Sequence, residues 1–300
     1  VSSALAGIGN STTPIATVLA GMVLLPHDKE SARPLAAVGI GFFGVVLIAV
    51  AAACSDGGSG GVTPPPPPAP GNYVFVGAGD IALCGAPGAE ATARLLDGID
   101  GVVFTAGDNA YPSGTAKDFA ECYAPTWGRH KNRTKPTAGN HDYEAAGASG
   151  FFDYFEDQLG AANPGYYTYR VGPWRIIALN SEIGVRSGSA QYNWLKGELT
   201  LNVPCTLAIW HRPLFTSGPN QPNPDMQDIY RLLYDGNAEV VINGHDHLYE
   251  RFAPQDANGR VDSARGIREF VVGTGEIPLY DPGPRRANSE VLRRTCGVLK

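Results

Sequence analysis

The sequence is poor in the residues that most often build metal or disulfide frameworks, with five cysteines and six histidines among 300 residues. No two cysteines form a CxxC pair and none has zinc-ribbon spacing, which argues against a structural zinc site. Positive charge is not in surplus either. Lys and Arg total 23 against 29 Asp and Glu, a formal net charge of −6. A broad basic surface for nucleic acid is therefore not expected, and any cationic site must be local. What the chain does have is a hydrophobic content of 43%, enough for one large domain or two small ones with an ample core.

The first seventy residues do not read as the working domain. Translation is expected to start at Met22. From there a short stretch with Lys29 and Arg33 leads into an apolar run over residues 35–53 and then Ala51-Ala52-Ala53-Cys54, the outline of an export signal. The small residues before Cys54 resemble the cleavage box of a bacterial lipoprotein, with Ala51 in place of the larger aliphatic residue usual there. An uncleaved signal anchor is the alternative, because the run is long enough to span a bilayer. These readings attach the protein to a membrane by lipid or by anchor, with secretion after cleavage of the signal as the remaining option, and all put the rest outside the cytoplasm. Gly39, Gly41 and Gly44 match the dinucleotide fingerprint GxGxxG, but they lie within the apolar run with no preceding strand and no acidic ribose ligand about 20 residues on. The match is rejected. Residues 55–61 are rich in Gly and Ser and residues 64–68 are all proline, a tether that places the start of the folded domain near Gly71.

Beyond the tether, short β-branched or aromatic runs end repeatedly in glycine followed by a metal-capable side chain. Residues 73–76 lead to Gly79-Asp80, and residues 102–105 to Gly107-Asp108-Asn109-Ala110-Tyr111. Residues 136–138 lead to Gly139-Asn140-His141-Asp142, residues 205–210 to His211, and residues 240–243 to Gly244-His245-Asp246-His247. Four of the six histidines fall inside these motifs. Helices are expected over residues 89–96, 189–199 (capped by Ser189) and 227–234, and a hairpin across Gly172-Pro173. Tyr192 and Trp194 read as packing residues. Tyr249, Glu250 and Arg251, just past the last motif, read as the rim of a pocket.

In this order the motifs resemble those of the calcineurin-like metallophosphoesterases, and Tyr111 places the likeness nearest the purple acid phosphatase branch. The resemblance covers most of residues 71–300. It implies an α/β fold, two facing mixed β-sheets flanked by helices, and a phosphate ester substrate, with hydrolysis of monoesters expected first; the alternatives are hydrolysis of diesters or nucleotides at the same metal core, or an exported protein that binds metal or phosphate without turnover. It further implies two metal ions sharing Asp108, one also held by Asp80, Tyr111 and His247, the other by Asn140, His211 and His245. Many members carry a histidine two residues after the first aspartate. This chain has Ala82 there, and Tyr111 supplies the missing ligand. A phenolate favours a trivalent ion, so Fe(III) with a divalent Fe, Zn or Mn is the expected pair. Counting charges, about −4 from ligands and hydroxide against +5 leaves roughly +1 facing the phosphate, whereas two divalent ions leave roughly zero.

His141, next to a ligand but not itself one, is the candidate to protonate the leaving oxygen or hold the phosphate, with Asp142 orienting its ring. Arg212 either pairs with the substrate phosphate or forms a salt bridge. In an exported protein Cys84 and Cys122, both in loops beside ligand motifs, are expected to pair, leaving Cys205 and Cys296 as the remaining couple. Residues 297–300 read as the opening of a strand, so the chain is expected to continue beyond Lys300. Oligomeric state and the natural ester are not legible.

Overall fold

The computed structural model describes residues 22–24, 73–160, 163–201, 203, 205–276 and 278–300. The strands are β1 (Met22–Leu24), β2 (Phe75–Ala78), β3 (Val102–Thr105), β4 (Thr134–Lys135), β5 (Tyr167–Val171), β6 (Trp174–Ala178), β7 (Cys205–Ile209), β8 (Val240–Asn243), β9 (Tyr249–Phe252), β10 (Arg268–Val272), β11 (Ser289–Arg293) and β12 (Gly297–Leu299). They form two mixed sheets, one in the order β1-β12-β2-β3-β4 and the other β11-β9-β10-β8-β7-β6-β5. The expected α/β architecture of two facing sheets flanked by helices is what the chain adopts.

The central strands β6, β7 and β8 are largely apolar because both of their faces are covered, and the polar residues they do carry, Arg175, Thr206 and Asn243, are buried. Ile176, Ala178, Leu207, Ile209, Val240 and Ile242 meet Phe104, Ala106 and Leu299 of the other sheet in a shared core. The alternate residues Ile177, Ala208 and Val241 point outward to Leu195, Ile229 and Leu233, which belong to the helices Ala190–Glu198 and Gln227–Asp235. The first sheet is covered in the same way. Val76, Ala78 and Val103 pack with Ala89, Ala93 and Leu96 of the helix Gly88–Asp97 and with an aromatic cluster that includes Phe119, Tyr123 and Phe155. Ser189 caps its helix by accepting a hydrogen bond from the Tyr192 amide at 3.2 Å. Tyr192 and Trp194 pack against the outer core as expected.

Some elements differ from the sequence reading. The third delivery strand ends at Lys135, because Pro136 has no amide to continue the ladder. Thr137 replaces the missing ladder with its side chain, donating to the Thr105 carbonyl at 2.7 Å while its amide donates to the Thr105 hydroxyl at 3.2 Å. Residues 249–252 are a buried strand rather than a pocket rim, and Glu250 is fully buried there. Cys84 and Cys122 are joined in a disulfide. Cys205 and Cys296 are not: Cys205 opens β7 in the second sheet, while Cys296 keeps a free thiol beside the Thr274 carbonyl, next to β12 of the first. Of the proposed export segment, only Met22–Leu24 lies among the described residues, where it pairs antiparallel with Gly297–Leu299. The apolar run over residues 35–53 lies outside them, and no described helix is long and apolar enough to cross a membrane.

Glu239, just before β8, accepts the Thr206 amide at 2.7 Å, yet burial pushes its carboxyl up to about 7 against that bond and the attraction of Arg175. A carboxyl raised from 4.5 favours the protonated folded state. The stability it contributes is full below pH 4.5 and is lost as pH rises through about 7, at most about 3 kcal/mol. Glu239→Gln, which mimics the protonated form, is therefore expected to raise the melting midpoint at pH 8 by up to roughly 8 °C and to leave it unchanged at pH 4. Equal shifts at both pH values, read by circular dichroism, would count against this assignment.

Candidate metal centre

Five strands end at one edge of the two facing sheets, and each hands over a polar residue there. Asp80 follows β2, Asp108 follows β3, Asn140 lies in the turn after β4, His211 follows β7, and His245 and His247 follow β8. Parallel strands gather the C-terminal ends of distant segments in this way. The ladder between the first two strands continues past their ends, with the Asp80 amide donating to the Gly107 carbonyl at 3.0 Å and Ile81 to Asp108 at 2.9 Å. The two sheets are tied across the site by the His245 amide, which donates to Asp80 Oδ2 at 2.8 Å, and by His211 Nδ1, 2.8 Å from the Ala106 carbonyl.

Asp108 sits between two groups of side chains. On one side the Tyr111 hydroxyl lies 3.2 Å from Asp108 Oδ2, 3.0 Å from Asp80 Oδ1 and 3.1 Å from His247 Nε2. On the other, His211 Nε2 lies 3.2 Å from Asp108 Oδ2, 3.0 Å from Asn140 Oδ1 and 3.1 Å from His245 Nδ1. All seven candidate ligands thus converge in the folded chain. Asp108, His211 and His245 offer ligand atoms that all lie within 4.8 Å of one another, a possible metal-binding triad. Two of the imidazoles are already oriented for an ion: His211 and His247 turn Nδ1 to the carbonyls of Ala106 and Pro278, leaving Nε2 facing the carboxylates. Ala82 carries no ligand, but its carbonyl accepts the Tyr111 amide at 2.8 Å and so sets where the phenol goes.

The backbone is shaped closely around these groups. Asp80, Asp108 and His245 hold φ of 60°, 50° and 73°, left-handed values that side-chain-bearing residues adopt at a cost of about 1–3 kcal/mol each. Gly139 cannot be replaced without displacement, since a Cβ there would stand 2.3 Å from Asp108 Oδ1.

Electrostatics follow from burial. Burial alone would raise the Asp108 carboxyl, but the charge and hydrogen bond of His211, helped by His141, more than offset it and hold Asp108 well below the usual range. His245 is pushed down to about 3 by burial and by neighbouring His211 and Arg212, so its imidazole is neutral, as a ligand requires. Burial, with Asp80 and Asp108 adding to it, pushes the Tyr111 phenol far up, so without a cation this hydroxyl stays protonated and donates to the carboxylates.

His141 lies beside the cluster, its amide donating to Asp108 Oδ1 at 2.8 Å and its ring 4.5 Å from that of Tyr111. The sequence suggests Asp142 as the group orienting this ring. The structure gives that place to the Pro112 carbonyl, 2.6 Å from Nδ1, and to Glu144 at 3.4 Å. Asp142 is fully buried instead, accepting from the Asn109 side chain at 2.9 Å and the Gly139 amide at 2.9 Å, where it joins two of the ligand loops. Asp246 plays a comparable part, accepting from Thr216 Oγ1 at 2.6 Å and the Asn220 amide at 3.0 Å.

A profile of the calcineurin-like phosphoesterase family matches residues 68–249, well over half of the chain and every candidate ligand. The chain belongs to that family. Among curated relatives, the chain is 24% identical over 200 residues to purple acid phosphatase 15 of Arabidopsis thaliana, a match covering 54% of the chain and 38% of that protein. Its fold is shared with the purple acid phosphatase PPD1 of yellow lupin seeds (TM-score 0.61, 20% identity, 77% of this chain and 50% of that one). It is also shared with GAP50, described as the anchor in the inner membrane complex of Plasmodium (TM-score 0.57, 14% identity, 75% and 79%). The chain spans about two fifths of the length of the first curated relative.

One contributor to the candidate site has no motif. Tyr280 stacks on His247 with ring centroids 4.1 Å apart and planes 5° from parallel, its amide donates to the His247 carbonyl at 2.9 Å, and Pro278 holds Nδ1. Pro278 and Tyr280 therefore grip one candidate ligand by ring face, ring edge and backbone. Tyr280→Leu is expected to weaken binding of one of two metal ions by about 10–100-fold, as loss of an orienting neighbour does. Tyr280→Phe keeps the stack and the affinity. Metal content after dialysis against graded chelator distinguishes them, and equal loss in both variants would remove the stack from the account.

Proposed function

We propose that the protein is an exported phosphatase that hydrolyses phosphate monoesters at a pair of metal ions. One ion is assigned to Asp80, Tyr111 and His247, the other to Asn140, His211 and His245, and Asp108 is shared. The observation that carries this reading is the position of Asp108 Oδ2, 3.2 Å from both the Tyr111 hydroxyl and His211 Nε2, between two separate sets of donors. Such ions supply Lewis acidity at phosphorus and acidify water, so no protein nucleophile is required. The chain's own residues do the rest. Tyr111 and the carboxylates fix the electrostatic balance, while His141, its Nδ1 engaged by Pro112, keeps Nε2 for the proton that the leaving oxygen needs. Export is supported by the Cys84–Cys122 disulfide and the apolar run before the tether.

The full chain, reconstituted with iron and zinc, should retain two metal ions and cleave phenyl phosphate in preference to diphenyl phosphate. Less than one retained ion, or no turnover of either ester, would sink the proposal. The Tyr111 phenolate suits a trivalent ion. A visible absorption band that is lost in Tyr111→Phe is expected, and a colourless active enzyme would remove ferric iron.

A further inference from the structure

A cavity of about 600 Å³ opens against the metal centre, with His245 and Arg212 among its lining residues and Glu182, Arg186, Asn220 and Gln221 in its walls. Its size is that of a small-molecule site. Its chemistry is unusual in two ways. Among the described residues no Phe, Tyr or Trp lines it. The nearby rings Tyr166 and Trp194 are occupied with each other, 4.8 Å apart, and pack on the outer core.

The second peculiarity is that its charges are matched in pairs. Arg212 Nε lies 3.1 and 3.0 Å from the two oxygens of Glu182, and Arg186 Nε lies 3.1 Å from Asp225. The walls are thus neutral in sum yet dense in hydrogen-bonding groups. Arg212 is also fixed in direction, because Glu182 is 9% exposed and the Ser181 hydroxyl accepts the Arg212 amide at 3.1 Å. Its Nη1 faces His245 Nε2 at 3.2 Å, while Nη2 has no hydrogen-bond partner among the described residues. Asn220 is pinned by its amide on Asp246 and by its side chain on the His245 carbonyl at 2.7 Å.

We propose that this cavity seats the leaving alcohol and selects hydroxyl-rich, non-aromatic alcohols, sugars or polyols, over nucleosides and aryl alcohols. The proposal rests on the hydrolytic reading of the adjoining centre. A phenyl ring would cover these polar walls without hydrogen-bonding them, at about 1–3 kcal/mol for each group left unpaired, and a nucleobase would find no Phe, Tyr or Trp ring to stack on among the described lining residues. A hydroxyl both donates and accepts, so it can serve Arg212 and a carboxylate alike. An alcohol with a further negative charge would meet Glu182 and Asp225, whose charges already balance the arginines.

Glucose 6-phosphate, adenosine 5′-monophosphate and benzyl phosphate are all esters of primary alcohols, so comparing them isolates recognition from leaving-group basicity. With the metal-loaded full chain, kcat/KM for glucose 6-phosphate should exceed the other two by at least about 10-fold. The double variant Arg186→Met/Gln221→Gly should bring that ratio close to one. Equal constants for the three esters, or a ratio untouched by the double variant, would overturn the assignment. Titrating the His141→Ala protein, in which turnover is slowed, with the same esters over a short time reads binding, and there too glucose 6-phosphate should bind tightest. If the unsubstituted protein hydrolyses none of them while this preference persists, the hydrolytic reading fails and the cavity assignment stands. Absence of the preference overturns the cavity assignment itself.

Discussion

Asp108→Asn is expected to lower the metal content from two ions per chain to one or fewer and to reduce turnover of phosphate monoesters by at least about 10³-fold. Asparagine matches aspartate in shape and tolerates the left-handed backbone at this position, so the fold should survive. What is lost is the anionic oxygen that lies 3.2 Å from both the Tyr111 hydroxyl and His211 Nε2. His211 loses with it the partner that, against the opposing effect of burial, raises its imidazole to about 10. Metal analysis beside an unchanged melting curve separates this outcome from unfolding. Two ions retained in a folded variant would show that Asp108 is not shared.

His141→Ala should behave differently, keeping both ions and losing about 10²–10³-fold in turnover of alkyl phosphates. Its loss on nitrophenyl phosphate should be much smaller, because a nitrophenolate departs without a proton. The imidazole is held by Pro112 and Glu144 and lies against the Tyr111 ring, beside the cluster of candidate ligands rather than within it. Equal losses on the two esters would demote His141 to a support for Asp108, to which its amide donates.

Much of the centre was legible in the sequence because each ligand follows its strand within a few residues, and an apolar run ending in glycine is a local signal. The core-facing positions of β6, β7 and β8 announced themselves in the same way, in short runs rich in Ile, Leu, Val and Ala. Other features left no such trace. Glu276 accepts the amides of Gly88 and Ala89 at 3.0 and 2.8 Å and so caps a helix 188 residues earlier, which no local pattern can report. Tyr280 stacks on His247 from 33 positions further along the chain and lies outside the strands and helices. Strand β9 was missed because Glu250 sits in its middle. Its charge reads as surface, yet the carboxylate is buried and accepts the Ser217 amide at 2.7 Å and hydroxyl at 2.6 Å.

The left-handed turns at Asp80, Asp108 and His245 bear on which residues could ever stand there. Besides glycine, the residue types that best tolerate that backbone are asparagine, aspartate and histidine. These are also the oxygen and nitrogen donors a metal site draws on. Conformation and coordination therefore impose one short alphabet on the same positions. A library randomised at Asp80 and selected only for folding, in the absence of metal, should converge on Gly, Asn and Asp, and addition of metal to the selection should then discard glycine alone.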